Sequence, residues 1–426
     1  MRTIDYRKIV TELCRIILGA TFLFSGTVKA VDPVGGAIIM ENYFGAFGLS
    51  FLNPLALFAS INLSAFEFLL GLCILTAVYR KITTFVTLVF MVFMTVLTLY
   101  LAIFNPVHDC GCFGEAIILT NWQTFLKNAV VFMPAATVIF LYQKKMTPLY
   151  TRKVSWFAVV FGYLFSVGFS CYNYYHEPIM DFRPYKVGVN IPQQMSIPDD
   201  APQDEYHYVY KDKAGKVEAF PLASAPMSDP DWSFVERKLV KQGYVPPITS
   251  FELTDENDNN LADFILADEK GVFLLISPYL EKASDANIDA INDVYDYAVE
   301  QKMQFYCVTS SAQRAINSWI DDTGAEYPFL SADDVTLKTV LRANPGLVLL
   351  KSGTVLMKWN HHDIPSEETA PTVFEALLNP SDVQNNKKMN PMVWFGYGFV
   401  LPLLLVWIYD YFRNRRKVPV NEIVFI

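Results

Sequence analysis

Apolar and polar positions are unevenly spread along this chain. Long runs almost free of charge fill its first 173 residues and a short stretch near its end, with polar, acidic sequence between them. A helix needs about 20 mostly apolar residues to cross a hydrocarbon core. Six runs reach that length: about Ile9 to Val31, Pro54 to Tyr79, Ile82 to Phe104, Trp122 to Tyr142, Val154 to Tyr172 and Met392 to Phe412. One such run can be a buried core helix, but six, separated by basic or turn-forming breaks, predict six membrane spans. Between the fifth and sixth the period changes. The segment "EYHYVYKDKAGKVEAF" alternates Tyr and Val about a Lys-Ala-Gly turn and predicts a hairpin.

A fuller domain begins near Pro246. "SFELTDENDNNLADFIL" reads as a short strand, a polar turn and a second edge strand. "GVFLLIS" and "MQFYCVTSS" have the length of buried strands, and "ANIDAINDVYDYAVEQK" and "QRAINSWIDDTG" have helical spacing. "GLVLLKSGTVLMKW" reads as a hairpin closed by Ser-Gly. Strands alternating with helices and ending in a hairpin predict an α/β sandwich. Across about 246–380 this order resembles the thioredoxin-like fold, with Pro345 at the position of that fold's cis-proline. The resemblance puts its active-site motif after "GVFLLIS", at "PYLEKASD", where no cysteine stands. What it implies here is a docking module, with Cys307 a small buried core residue.

The basic residues orient the spans. Arg2, Arg7 and Lys8 precede the first; Arg80 and Lys81 separate the second from the third; Lys144, Lys145, Arg152 and Lys153 separate the fourth from the fifth; Arg413, Arg415, Arg416 and Lys417 follow the sixth. With six spans all four clusters fall on one side, which predicts cytoplasmic termini and an extracytoplasmic region at about 174–391. "GTVKAVDP" offers no small-x-small site, so the first span is expected to be retained. The net charge of −9 belongs to the polar region, and no basic stripe with interleaved aromatics points to nucleic acid.

That orientation gives the cysteines their meaning. Of the six, Cys14 and Cys73 lie within spans, where packing is the default. Cys110, Cys112 and Cys171 fall near the outer boundary, in a compartment that permits disulfides. "HDCGCFG" leaves three readings open. Cys110 and Cys112 form a redox pair, for which a bond across one glycine is strained and labile, with Cys171 as a resolving thiol. Or they form a structural disulfide or are unrelated thiols. Or they clasp a metal with His108, a set that lacks a fourth ligand unless Cys171 or Asp109 serves. Glu67, near the middle of the second span, is costly at that depth and is expected to face the bundle interior. It reads equally as a proton acceptor or as a carboxyl group bonded to Asn62, Arg15 or a Ser or Thr. Lys29, Asp32 and Lys127 read as boundary anchors, and Gly19 with Ser25-Gly26 reads as a close-packing face.

"CGCFG" just outside the third span, "RIILGATFLFSGTVKAVDPVG" in the first, "FEFLLG" in the second and "LTNWQTFLKNA" entering the fourth resemble the MauE branch of the DoxX-like membrane proteins, over about residues 8–145. The resemblance implies a four-helix core, a role in forming or handling disulfides of an exported protein, and Cys110 and Cys112 as the redox pair. The layout is also similar to quinone-coupled disulfide-forming proteins, which implies a quinone as electron acceptor. Those proteins usually carry a second cysteine pair, whereas this chain has a single paired-cysteine motif.

The expected architecture is therefore an α-helical membrane bundle, a four-helix core plus two further transmembrane helices, with an α/β thioredoxin-like soluble domain. By residue, this is a four-helix membrane domain over 1–145, a fifth transmembrane helix over 146–173, an extracytoplasmic α+β or linker region over 174–245, a thioredoxin-like domain over 246–385, a sixth transmembrane helix over 392–412 and a cytoplasmic tail over 413–426. The expected function is an inner-membrane thiol–disulfide oxidoreductase acting on an exported client or a thioredoxin-like carrier. The alternative is a membrane-anchored scaffold whose soluble domain binds a periplasmic partner.

Overall fold

The computed structural model describes residues 5–107, 110–241, 243–378 and 391–415. They form two compact units, one reaching Phe182 and including the C-terminal helix, the other running on from Arg183. His108, Asp109, Arg416 and Lys417 lie outside the described residues.

In the first unit, helices at Tyr6–Val31, Ser50–Thr76, Arg80–Phe104, Asn121–Leu141, Ser155–Tyr175 and Val393–Asn414 are long and apolar enough to cross a membrane. The chain is a multi-pass membrane protein. Its elements are α1 (Tyr6–Val31), α2 (Pro33–Ala46), α3 (Ala56–Thr76), α4 (Arg80–Phe104), α5 (Asn121–Leu126), a π-helical turn (Lys127–Phe132), α6 (Met133–Leu141), α7 (Ser155–Tyr175) and the C-terminal helix (Pro391–Arg415). The segment after the first span, for which the apolar pattern predicts no element, holds α2. Asp32 caps it, accepting the Gly35 amide at 2.8 Å, and Pro33 starts it. Its mixture of apolar and small residues has no stripe of one period, which is why the pattern did not reveal it.

The helices meet through small residues. A Cβ on Gly26 would lie 2.3 Å from the Phe68 backbone nitrogen, and one on Gly71 would lie 2.3 Å from that of Leu23. Glycine alone lets α1 and α3 approach so closely, as the small-residue face on α1 suggested. Outward-facing Ile9, Leu13, Ile16, Phe85, Val89 and Phe93 stay exposed, as lipid-facing residues do. Inside, the hydroxyls of Thr84, Thr87, Thr95 and Thr98 each donate to the carbonyl four residues back at 2.7 Å, so none of these four is bare in hydrocarbon. The C-terminal helix is tied to the start of α7. Buried Asp410 accepts from the Thr151 amide and hydroxyl, both at 2.7 Å.

The second unit carries α8 (Ile191–Met195) and a three-stranded antiparallel sheet of β1 (Glu205–Asp212), β2 (Val217–Pro221) and β3 (Trp232–Lys241), in the order β2-β1-β3. The hairpin β1–β2 is the one the alternation predicts; β3, exposed along almost its whole length, gave no such signal. The expected second edge strand in "LADFIL" is instead the short helix α9 (Ala262–Leu266), because Ala262, Ile265 and Leu266 bury one helical face. Then follow β4 (Val272–Ile276), α10 (Ile288–Glu300), β5 (Gln304–Thr309), α11 (Gln313–Thr323), β6 (Phe329–Ser331), α12 (Asp334–Val340), β7 (Gly346–Lys351), β8 (Thr354–Asn360) and α13 (Ala370–Leu378). Their sheet order is β6-β5-β4-β7-β8, with β4, β5 and β6 parallel and β7 antiparallel to both neighbours.

Each face of this sheet covers an apolar core. Phe273, Leu275 and Leu347 meet Phe374, Ile291 and Val294 on one side, and Leu274, Ile276 and Val348 meet Ile265 and Leu337 on the other. Cys307 is fully buried in the first core. Ser352 and Gly353, at φ of 47° and 72°, make the tight β7–β8 turn, and the Asn344–Pro345 peptide is cis.

Two outcomes follow. Gly26→Leu should lower the thermal midpoint of the detergent-solubilised protein, because the added side chain meets α3 backbone and overpacking costs about 1–3 kcal/mol. Burial, and next the neighbouring His362, hold the His361 imidazole below the usual histidine range. The unfolded chain then binds that proton more readily, so stability falls as pH drops through about 6.5. The denaturation midpoint of the full chain should fall less between pH 7.5 and 5.5 in His361→Gln than in the parent.

Candidate functional site

The loop between α4 and α5 is held at both ends. Asn105 ends α4 in the left-handed region, its amide donating to Leu101 O at 2.9 Å. Asn121 donates to Asn105 Oδ1 and to the Val107 carbonyl, both at 2.8 Å. Thr120 and Gln123 form a reciprocal capping box at the start of α5. Between these anchors Gly111 has φ +63°, and a Cβ there would lie 2.6 Å from Ile39 of α2. The loop is pressed between two helices. Tyr43 of α2 donates its hydroxyl to the Cys110 carbonyl at 3.2 Å, and Ser25 of α1 approaches the Cys112 carbonyl at 2.6 Å.

This clamp brings the Cys110 and Cys112 sulfurs to 2.8 Å, with Cys110 Sγ also 3.5 Å from Thr124 Oγ1. No disulfide bond joins any of the six cysteines in this structure. The hydrogen bond between the two, followed by burial, pushes the Cys112 thiol well above its ordinary range, while Lys127 and Lys29 pull it the other way.

Beneath the loop lies a polar chain. Glu67 Oε1 takes the Lys29 ammonium at 2.6 Å, and Glu67 Oε2 stands 2.7 Å from the Ser25 hydroxyl. Ser25 thus sits between the Glu67 carboxylate and the Cys112 carbonyl, and its single proton serves one of them at a time. Glu67 does face the bundle interior, and the hydroxyl it meets is Ser25. Asn62 instead bonds to the Phe58 carbonyl and Tyr163, and Arg15 to Glu12 and the Thr147 carbonyl.

Lys29 is not the boundary anchor its position suggested, and Lys127 lines the same cleft as Cys112. Lys29 is paired inside the bundle, its side chain 12 % exposed. Lys127 lies with its ammonium 4.2 Å from the Phe113 ring centre and 5.5 Å from that of Phe132. A signal for Lys29 was present: Thr21, Ser25 and Lys29 recur every four residues, one polar line along an apolar helix. Ser25 had been read only as a small packing residue.

These side chains open on one cleft of about 420 Å³ of empty space. Phe22, Phe90, Met91 and Phe132 form apolar walls, and Ser25, Lys29, Glu67, Lys127 and Cys112 form the polar end. Cys171 is on α7, whose neighbouring Ser170 and Asn173 bond to Ser64 and to the Ala30 carbonyl. Among the described contacts, none joins Cys171 to Cys110 or Cys112. Nor do any three His, Cys, Asp or Glu side chains gather as a metal ion would need among the described residues; His108 lies outside them.

Residues 7–141 match the family described as Methylamine utilisation protein MauE. No curated protein matches the chain.

A buried ion pair broken on one side leaves an uncompensated charge, at a cost of about 3–5 kcal/mol. Lys29→Met alone should therefore lower the thermal midpoint more than Lys29→Met combined with Glu67→Met, measured on the purified protein in detergent.

Proposed function

We propose that the chain is an inner-membrane thiol–disulfide redox protein that forms or handles disulfides of exported clients, with Cys110 and Cys112 as its working pair. The observation that carries this reading is the approach of two sulfurs to 2.8 Å in a loop clamped over a buried Lys29–Glu67 pair. The match to a methylamine-utilisation family over residues 7–141 supports a role in redox handling. Thiol–disulfide exchange proceeds through a mixed disulfide. A client thiolate attacks Cys110 of the oxidised pair, the client–Cys110 bond forms, and Cys112 leaves with the electron pair. Glu67, linked through Ser25 to the Cys112 carbonyl, is the nearby proton acceptor. Electrons then pass to a membrane quinone or to the disulfide of a carrier, which leaves as a dithiol, with Cys171 available as a resolving thiol.

In this reading both termini are cytoplasmic and the region from about 174 to 391 is periplasmic. The second unit is a thioredoxin-like docking domain. Its parallel β4–β5 pair, joined through α10, its antiparallel β7–β8 hairpin and its cis Pro345 support that assignment. It presents no thiol after β4, and Cys307 is fully buried. This absence of surface thiols favours a second reading, a scaffold that holds a periplasmic partner without redox chemistry.

Cys112→Ser leaves Cys110 without its resolving partner and should accumulate a reductant-sensitive adduct with a client in cells. Capture of no partner by either single serine variant, with both cysteines of the parent fully reduced in cells, would sink the redox reading. Function intact in a Cys110→Ala, Cys112→Ala protein would favour the scaffold.

A further inference from the structure

Two cations face Cys112, and they differ in one respect. Lys29 is neutralised by Glu67 at 2.6 Å. Lys127 has no carboxylate within ion-pair distance among the described residues. It lies against the Phe113 and Phe132 rings, at the wall of the cleft that Cys112 also lines. An ammonium six residues into an apolar span, with ring faces beside it and no carboxylate partner among the described residues, is costly unless a negative charge comes to it. Cys112 Sγ is the group in that cleft that gains one during exchange.

We infer that Lys127 is the cation that balances the Cys112 thiolate when that sulfur is the leaving group, an assignment that rests on the redox reading above. In the step itself a client thiolate bonds to Cys110 Sγ, the Cys110–Cys112 bond breaks, and the electron pair stays on Cys112. Cys110 is then one sulfur of the mixed disulfide, with neither a charge nor a proton to offer. The influences of Cys110 that keep the Cys112 thiol protonated in the resting pair are gone. What remains is burial against two lysines, one of them already paired. A better-stabilised thiolate leaves faster, so Lys127 would promote transfer to Cys110 and hold Cys112 ready to resolve it.

The Cys110→Ser full-length protein isolates Cys112 and needs no client. Its alkylation by a small maleimide is followed against pH in detergent, in the parent background and with Lys127→Met, Lys127→Arg or Glu67→Gln. Lys127→Met should move the profile to higher pH and slow alkylation at pH 7 about ten-fold, as loss of a neighbouring opposite charge does. Lys127→Arg should restore it. Glu67→Gln frees the Lys29 charge and should move the profile to lower pH, a sign that general loosening of the loop would not give. Lys127→Gln serves if the Met variant loses helical circular dichroism. A Lys127→Met or Lys127→Gln profile that overlies the parent in folded protein overturns the inference, as does Glu67→Gln shifting in the same direction as Lys127→Met. If the profile moves as expected but Cys110 captures no client in cells, the redox reading falls and the charge assignment stands.

Discussion

The close approach of α1 to α3 is the constraint on which the membrane unit depends. Gly26 and Gly71 remove the side chains that would hold the helices apart, and the backbones meet where a Cβ would be 2.3 Å from a neighbouring nitrogen. Only at that separation does Glu67 of α3 reach both Lys29 and Ser25, four residues apart on α1. Burial of both side chains favours the pairing, since an unpaired charge at that depth is costly. The polar chain is therefore a consequence of small residues packed one turn from it.

That chain in turn determines where the thiol loop can sit. Ser25 offers the only α1 hydroxyl bonded to the Cys112 carbonyl among the described contacts, and Tyr43 of α2 holds the Cys110 carbonyl from the other side. Gly111, left-handed and against Ile39, lets the turn between the cysteines be short. The result is a pair of sulfurs 2.8 Å apart, one of which opens on a cleft lined by Lys29, paired with Glu67, and by Lys127, which has no carboxylate partner among the described residues. The helices supply the anchoring groups, and the loop carries the two thiols.

Much of the architecture was legible along the chain. Six apolar runs became six helices because bilayer-length hydrophobicity is a property of each segment alone. The buried strands β4, β5 and β7 and the helices α10 and α11 were readable for a similar reason, each carrying its own period. What escaped were elements whose burial depends on neighbours. α2 is apolar and small all round, α9 is five residues long, and β3 is exposed on both faces. The site divides in the same way. Cys110, Cys112 and Glu67 stood out by residue type. Lys29, Lys127 and Ser25 did not, because a lysine near a helix end has the same local pattern whether it reaches interface or core.

By itself, then, the sequence determined the spans, the alternation of the soluble sheet, and the presence of a cysteine pair between two membrane helices. Tertiary structure decided which charges meet. A helix presents its residues in a known order but at an angle that only packing sets, and packing here is set by glycine contacts between segments some 40 residues apart. Lys29 turned inward to Glu67 is an outcome of that rotation. No local pattern of hydrophobicity encodes it, because the free energy that selects it comes from the other helix.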